Sequence, residues 1–291
     1  MTDAAVPKAS AGFRMPRIWS ESMQLNIGLI IFSIIVLSLL TQLFIIPSSY
    51  LDGELTSRLK PPGWGGHVFG TDQLGRDLLF RVMGGLPWSL GIAGMSTLIL
   101  AVIGTLVGLT GAWYQNWIRT VVLLAISTFV AFPFLVLALV MVAVVGRGYW
   151  PITLTLGIIA WPAVARVIYA EGRALLQREY VLAAKLFGVS QWSILFVHVL
   201  PGIRPTILVM AAFLFAVMLI LESALSFLGL GAPLNEPSWG NMLADSRQYL
   251  VNAPWMMFVP AGAIVSAVIS LNLIGDGIAE ISRKRARAVE V

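Results

Sequence analysis

Apolar residues run along this chain in long unbroken blocks instead of alternating with polar ones. Six blocks stand out, Leu25 to Ile46, Ser89 to Trp113, Thr120 to Val145, Trp150 to Ala170, Thr206 to Gly229 and Trp255 to Gly275, each almost free of charge. A hydrocarbon core takes about 20 helical residues to cross, a length every block meets. Strands of a membrane barrel would alternate with period two. The pattern therefore predicts an all-α integral membrane fold with six transmembrane helices. Pro133 and Pro162 lie inside two of the blocks and predict kinks there.

The basic residues set an orientation. With the amino terminus inside, Lys8, Arg14, Arg17, Arg119, Arg166, Arg173, Arg178, Lys185, Arg204, Arg283, Lys284, Arg285 and Arg287 fall on the cytoplasmic side. Only Arg58, Lys60, Arg76, Arg81, Arg147 and Arg247 fall outside. This bias predicts that both termini are cytoplasmic. The first block is uncharged from Ser22 to Leu51, longer than the apolar region of a cleavable signal, and Ile45-Ile46-Pro47 offers no small-x-small cleavage site; a retained helix is expected. Three connections are long: Pro47 to Trp88 outside, Glu171 to Pro205 in the cytoplasm, and Ala232 to Pro254 outside, where Trp239 and Trp255 read as interfacial anchors.

Composition narrows the chemistry. Of 291 residues, 58% are hydrophobic and 11% charged, whereas a soluble domain is about a quarter charged. One membrane domain is expected, with no separate water-soluble core. The absence of cysteine excludes disulfides, thiolate metal sites and a thiol nucleophile. The net charge of +5 is distributed at the ends of apolar spans, which points to membrane topology and away from nucleic acid. No Gly-x-x-x-x-Gly-Lys-Ser/Thr loop and no serine elbow appears, so neither a nucleotide site nor a catalytic set is expected in the chain itself.

A few polar residues stand out against this background. Glu222 falls inside the fifth block, where a charge at the bilayer centre costs at least about 2.5 kcal/mol unless it faces a partner or water. It is expected to face the bundle interior, either lining a translocation path or as a structural hydrogen-bonding residue. Asn272 and Asp276, at the inner end of the last block, are expected to cap and cross-link helices, with a path-lining role as the alternative. Arg166 is read as snorkelling to the headgroups. His67, Asp72 and Asp77 share one loop, but Gly70 and Gly75 suggest turns, with Asp72 and Asp77 capping short helices and Arg76 pairing locally; no metal site is predicted.

The cytoplasmic connection reads as helix, turn, helix. Arg178-Glu179-Tyr180-Val181-Leu182-Ala183-Ala184-Lys185-Leu186-Phe187 forms a short, half-apolar helix, Gly188 suits a left-handed cap, Ser190 is placed to cap the next helix, and Pro201 is expected to stop it. A short helix of this kind suits a groove on another protein. From these residues alone, a helix lying on the membrane surface is an equal alternative.

The order Ala183-Ala184, three residues, Gly188, then Leu200-Pro201 resembles the signature cytoplasmic loop of permeases in ATP-binding-cassette importers. His67-Val68-Phe69-Gly70-Thr71-Asp72-Gln73-Leu74-Gly75-Arg76-Asp77, Glu222 to Gly231, and Asn272-Leu273-Ile274-Gly275-Asp276-Gly277 look like the C-type subunits of dipeptide, oligopeptide and nickel permeases. Two departures are visible: Leu182 stands where the family has an acidic residue before the alanines, and the chain after Gly277 lacks the family's Arg-Asp and Asp-Pro pairing.

The resemblance implies a type I importer transmembrane domain in a bacterial inner membrane. It divides the chain into a cytoplasmic segment 1–24, a first helix 25–46, an extracytoplasmic loop 47–88, a permease core 89–280 containing the coupling loop 171–205, and a basic tail 281–291. It assigns ATPase coupling to Glu179, Ala183, Ala184, Lys185, Gly188, Val189, Leu200 and Pro201, and extracytoplasmic partner contact to Gly70, Asp72, Arg76 and Asp77. It implies a homologous B-type permease as partner, two ATP-binding subunits or one fused ATPase that hold ATP and Mg, a solute-binding protein, peptide cargo and surrounding membrane lipid. Nickel or another small solute is the alternative cargo. A secondary transporter is the rival class, with neither paired intramembrane charges nor inverted repeats to favour it.

Overall fold

The computed structural model describes residues 22–45, 53–233 and 236–289; Lys8, Arg14 and Arg17 lie outside them. All regular structure in these residues is helical. The helices are α1 (Met23–Ile45), α2 (Leu78–Trp113), α3 (Trp117–Ala131), α4 (Phe134–Val145), α5 (Tyr149–Leu176), α6 (Glu179–Leu186), α7 (Gln191–Phe227), α8 (Trp239–Ser246) and α9 (Trp255–Val289).

Helices α2, α5, α7 and α9 are each long and apolar enough to cross a membrane. The described residues thus make an integral membrane protein with four candidate spans, or five if α3 and α4 are taken as one. The α3–α4 pair bends by 90° at Phe132-Pro133. Proline lacks the N–H that would continue α3, and Pro133 instead begins α4, where its carbonyl accepts from Leu137 N at 3.1 Å. Pro162 sits within a continuous α5.

Glycine and serine bring α2 and α5 together. A side chain at Gly104 would lie 2.8 Å from Trp161 O, one at Gly108 would lie 2.7 Å from Ala165 O, and Ser96 Oγ donates to Thr153 O at 3.0 Å. Because these pairs rise together in number, α2 and α5 run parallel. The α3–α4 pair must therefore carry the chain from the end of the bundle where α2 finishes back to the end where α5 begins. At the latter end the rings of Trp88 and Tyr149 lie 5.6 Å apart, and at the former Gln191 Nε2 donates to the Tyr114 hydroxyl at 3.3 Å. Helix α7 returns antiparallel to α5, since Thr206 Oγ1 donates to Glu171 at 2.8 Å. Helices α1 and α9 are antiparallel too, with Leu25 against Gly277 and Gly28 against Ser270.

Several boundaries differ from the sequence expectation. Helix α2 begins at Leu78, not Ser89, because the Asp77 carboxylate accepts from Leu79 N and Phe80 N and supplies a strong amino-terminal cap. Pro201 does not stop a helix. Leu200 N donates to Leu195 O across a wide π turn, Ile194–Val199, and the proline falls in the first turn of the segment beyond, where its missing N–H is tolerated. The connection between α5 and α7 is thus shorter than 171–205, and the basic tail continues α9 as helix to Val289. Trp239 is not an interfacial anchor: it is buried, and its Nε1 donates to Val82 O at 2.8 Å.

Candidate functional site

At the end of the bundle where α2 begins, residues 53–77 fold into a cap over α2, α8 and α9. Asp72 Oδ1 accepts from Leu74 N and Arg76 N, both at 2.8 Å, so the carboxylate organises a turn and does not cap a helix as expected. Its other oxygen accepts from Arg81 Nη1 at 2.7 Å, and Arg81 Nη2 reaches Asp245 at 3.3 Å. The local ion pair is made by Arg81, one helical turn into α2, and not by Arg76. Both Asp72 and Arg81 are buried. His67 Nδ1 meets Asp77 Oδ2 at 2.7 Å, and Trp255 Nε1 donates to Thr71 O at 3.2 Å, tying the cap to α9. Gly70 and Gly75 both have φ of +78°, and a side chain at Gly70 would meet Lys60 O at 2.5 Å, so the turn requires glycine there.

Glu222 lies where α7, α2 and α8 meet, with none of its surface accessible. Ser226 Oγ donates to it at 2.7 Å and Ser223 Oγ at 3.3 Å. Ser89, on α2, accepts from Trp239 N at 3.0 Å. The hydroxyls provide the polar surroundings a carboxyl group needs inside an apolar bundle. Asn272 and Asp276 lie one turn apart on α9; Asp276 is exposed, and among the described residues no hydrogen bond or ion pair to either side chain is formed. Among the described residues, the cross-link expected of them is not made.

At the opposite end, α6 projects between α5 and α7. Gly188, with φ of +76°, ends it: Gly188 N donates to Lys185 O and Val189 N to Ala184 O, each at 3.1 Å, the paired bonds of a Schellman cap. Ser190 Oγ then accepts from Ser193 N at 3.3 Å and starts α7. Val181 and Ala184 are buried in the same apolar cluster as Ile194, Leu195 and Val199. The Lys185 ammonium sits 4.9 Å above the Trp113 ring. These contacts fix the elbow and leave its outer face open.

The residues expected at the coupling loop are therefore divided. Glu179, Lys185 and Gly188 are exposed, Ala183 and Val189 are half-buried, and Ala184 faces inward. Leu200 and Pro201 belong to the wall of α7, half-buried and away from the tip. Sequence reasoning missed Leu186 and Phe187, which are 88% and 87% exposed. Their signal was available: two large apolar side chains directly before a left-handed glycine, on the turn where a short helix ends. Tyr180 and Leu182 add to the same exposed surface.

The described helices form an apolar bundle with a capped elbow at one end and an ion-paired cap at the other. Residues 75–288 match the family of inner membrane components of binding-protein-dependent transport systems, and the chain belongs to that family. It is 33% identical over 298 aligned positions, 99% of both chains, to a Brucella suis protein whose name reads peptide transport system permease. It is 33% identical over 252 positions to the dipeptide transport system permease protein DppC of Alkalihalophilus pseudofirmus, covering 87% of this chain and 83% of that one. A second Brucella suis protein, named as a peptide permease, is 34% identical over 261 positions, covering 89% of this chain and 86% of its own.

Proposed function

We propose that this chain is one of two permease subunits of an ATP-driven peptide importer, crossing the inner membrane six times with both termini in the cytoplasm. The observation that carries the reading is the Leu186–Phe187 tip of α6: two large apolar side chains held out from a rigid, capped elbow fit a cleft on another protein. The six-pass reading is supported by the alternating directions of α1, α2, the α3–α4 pair, α5, α7 and α9. Arg173, Arg178, Lys185, Arg204 and Arg283 gather at the end bearing α6, which favours that end as cytoplasmic.

In this reading a homologous B-type permease completes the path, and two ATPase domains, on separate or fused subunits, bind ATP and Mg and dock on α6. Closure of those domains moves α6, and through Val181 and Ala184 it moves α5 and α7, switching the two permeases between inward-open and outward-open states. Glu179, Lys185 and Gly188 border the docking surface. The cap around Gly70, Asp72, Arg76 and Asp77 receives the solute-binding protein that delivers peptides. Peptide cargo is supported by what the relatives' names say they transport.

Purification of the complex from native membranes, wild type against Phe187→Asp, tests this. Co-purifying ATPases retained by wild type and lost from a still-folded variant are the expected result. ATPases retained equally by both would remove the docking reading. Binding-protein-dependent uptake of dipeptides into proteoliposomes tests the cargo independently.

A further inference from the structure

The α3–α4 break lies in the middle of the bundle. Beside it an apolar groove of about 540 Å³ opens, walled by Phe132 and Pro133 from the break, Ala163 from α5, and Leu214, Val217 and Leu221 from α7. Ala131, Phe132 and Pro133 are all exposed. Among the described residues, no hydrogen bond from outside α3 reaches the carbonyls of its last turn, Thr128 to Ala131. A helix ends with four such carbonyls lacking intrahelical donors. Because α2 and α5 run parallel, the chain must cross the bundle through this break, which places the bare carbonyls at membrane depth. Broken backbone at that depth persists only where protein covers it or where it lines a water-filled cavity. Acyl chains carry no donors for it.

We infer that this groove is the part of the translocation path that this chain contributes, and that its occupant is the peptide in transit, whose N–H groups donate to the α3 carbonyls while its apolar side chains lie against Phe132, Val217 and Leu221. The inference deepens the peptide-importer reading and rests on it. An extended peptide brings both things the groove lacks, backbone donors and apolar side chains, and the partial negative charge at the carboxyl end of α3 favours its ammonium terminus. Backbone acceptors and apolar walls read no particular side chain, which suits a carrier of varied peptides. Glu222 is then a neighbour of the path and not part of its wall: Leu221 faces the groove, and the next residue turns about 100° away into the α2–α8 contact.

The chain has no cysteine, so single Ala163→Cys and Val217→Cys variants of the reconstituted complex report on the groove from two different helices. Each is exposed to a water-soluble, membrane-impermeant thiol reagent in nucleotide-free and ATP-trapped states, with and without dialanine or trialanine. Both cysteines are expected to react in at least one state, and peptide at about ten times its Kd should slow the reaction about tenfold. No reaction in any state, as lipid or a partner helix covering the groove would give, overturns the inference, and so does reaction that peptide leaves unchanged. Uptake of the same peptides by the same vesicles separates the two readings. Vesicles that import no alanine peptide overturn the cargo and the proposed occupant with it, whereas vesicles that import them with the groove unprotected overturn the groove alone.

Discussion

At the cap a guanidinium and its carboxylate partner are enclosed by protein, while at the elbow on the opposite end of the bundle Leu186 and Phe187 stand almost fully exposed. Each end inverts the usual placement of its residues, since charges are normally exposed and large apolar side chains buried. The cap can enclose Arg81 because Asp72 and Asp245 balance it and because Asp72 also holds two backbone amides. The elbow can expose its apolar pair because Val181 and Ala184 anchor the other face of the same helix. The cap's buried guanidinium is balanced within the chain, whereas nothing among the described residues covers the apolar tip of the elbow.

The contrast can be broken most forcefully at the cap. Asp72→Ala leaves a buried guanidinium with only its longer contact to Asp245, and a loss of about 3 to 5 kcal/mol is expected. A large drop in the melting temperature of the purified complex would register it, and an unchanged value would show that water reaches Arg81. At the elbow, Phe187→Ala should leave the melting temperature of the isolated chain nearly unchanged while weakening ATPase retention by about 2 kcal/mol, roughly 30-fold in affinity. Equal effects on both measurements would make Phe187 a packing residue and erase the difference between the two ends.

Smaller effects sharpen the comparison. Ser226→Ala removes the closest donor to the Glu222 carboxyl group, and about 1 to 2 kcal/mol of stability should go with it. Glu222→Gln in that background should restore part of the loss, because an amide desolvates at lower cost. Gly188→Ala places a side chain at φ of +76° and should cost about 1 kcal/mol. That cost should appear as weaker coupling of ATP hydrolysis to uptake, with global unfolding little changed.

Much of the helical plan was legible in sequence because membrane crossing needs long apolar blocks, and the blocks are present. Gly188 and Ser190 marked the elbow by local chemistry that does not depend on the rest of the fold: a left-handed cap and a side-chain acceptor. Helix ends were harder where a distant partner decided them. The expected extracytoplasmic stretch from Pro47 to Trp88 took in residues 78–88, yet Asp77 caps a helix there and Asp245, far along the chain, helps to hold Arg81 inside it. Pro201 argued for a stop, yet a wide turn absorbs it.

The sequence by itself determined that this is an α-helical membrane protein, where its apolar blocks lie, and that a short capped helix interrupts one connection, because these follow from composition and local backbone preference. Only the tertiary structure decided that α2 and α5 run parallel, that Arg81 and not Arg76 closes the cap, that Ala184 is buried while Phe187 is presented, and that the α3–α4 break opens onto a groove. Each of those depends on which residues distant in sequence meet, and a pattern of apolar and polar positions carries no record of partners.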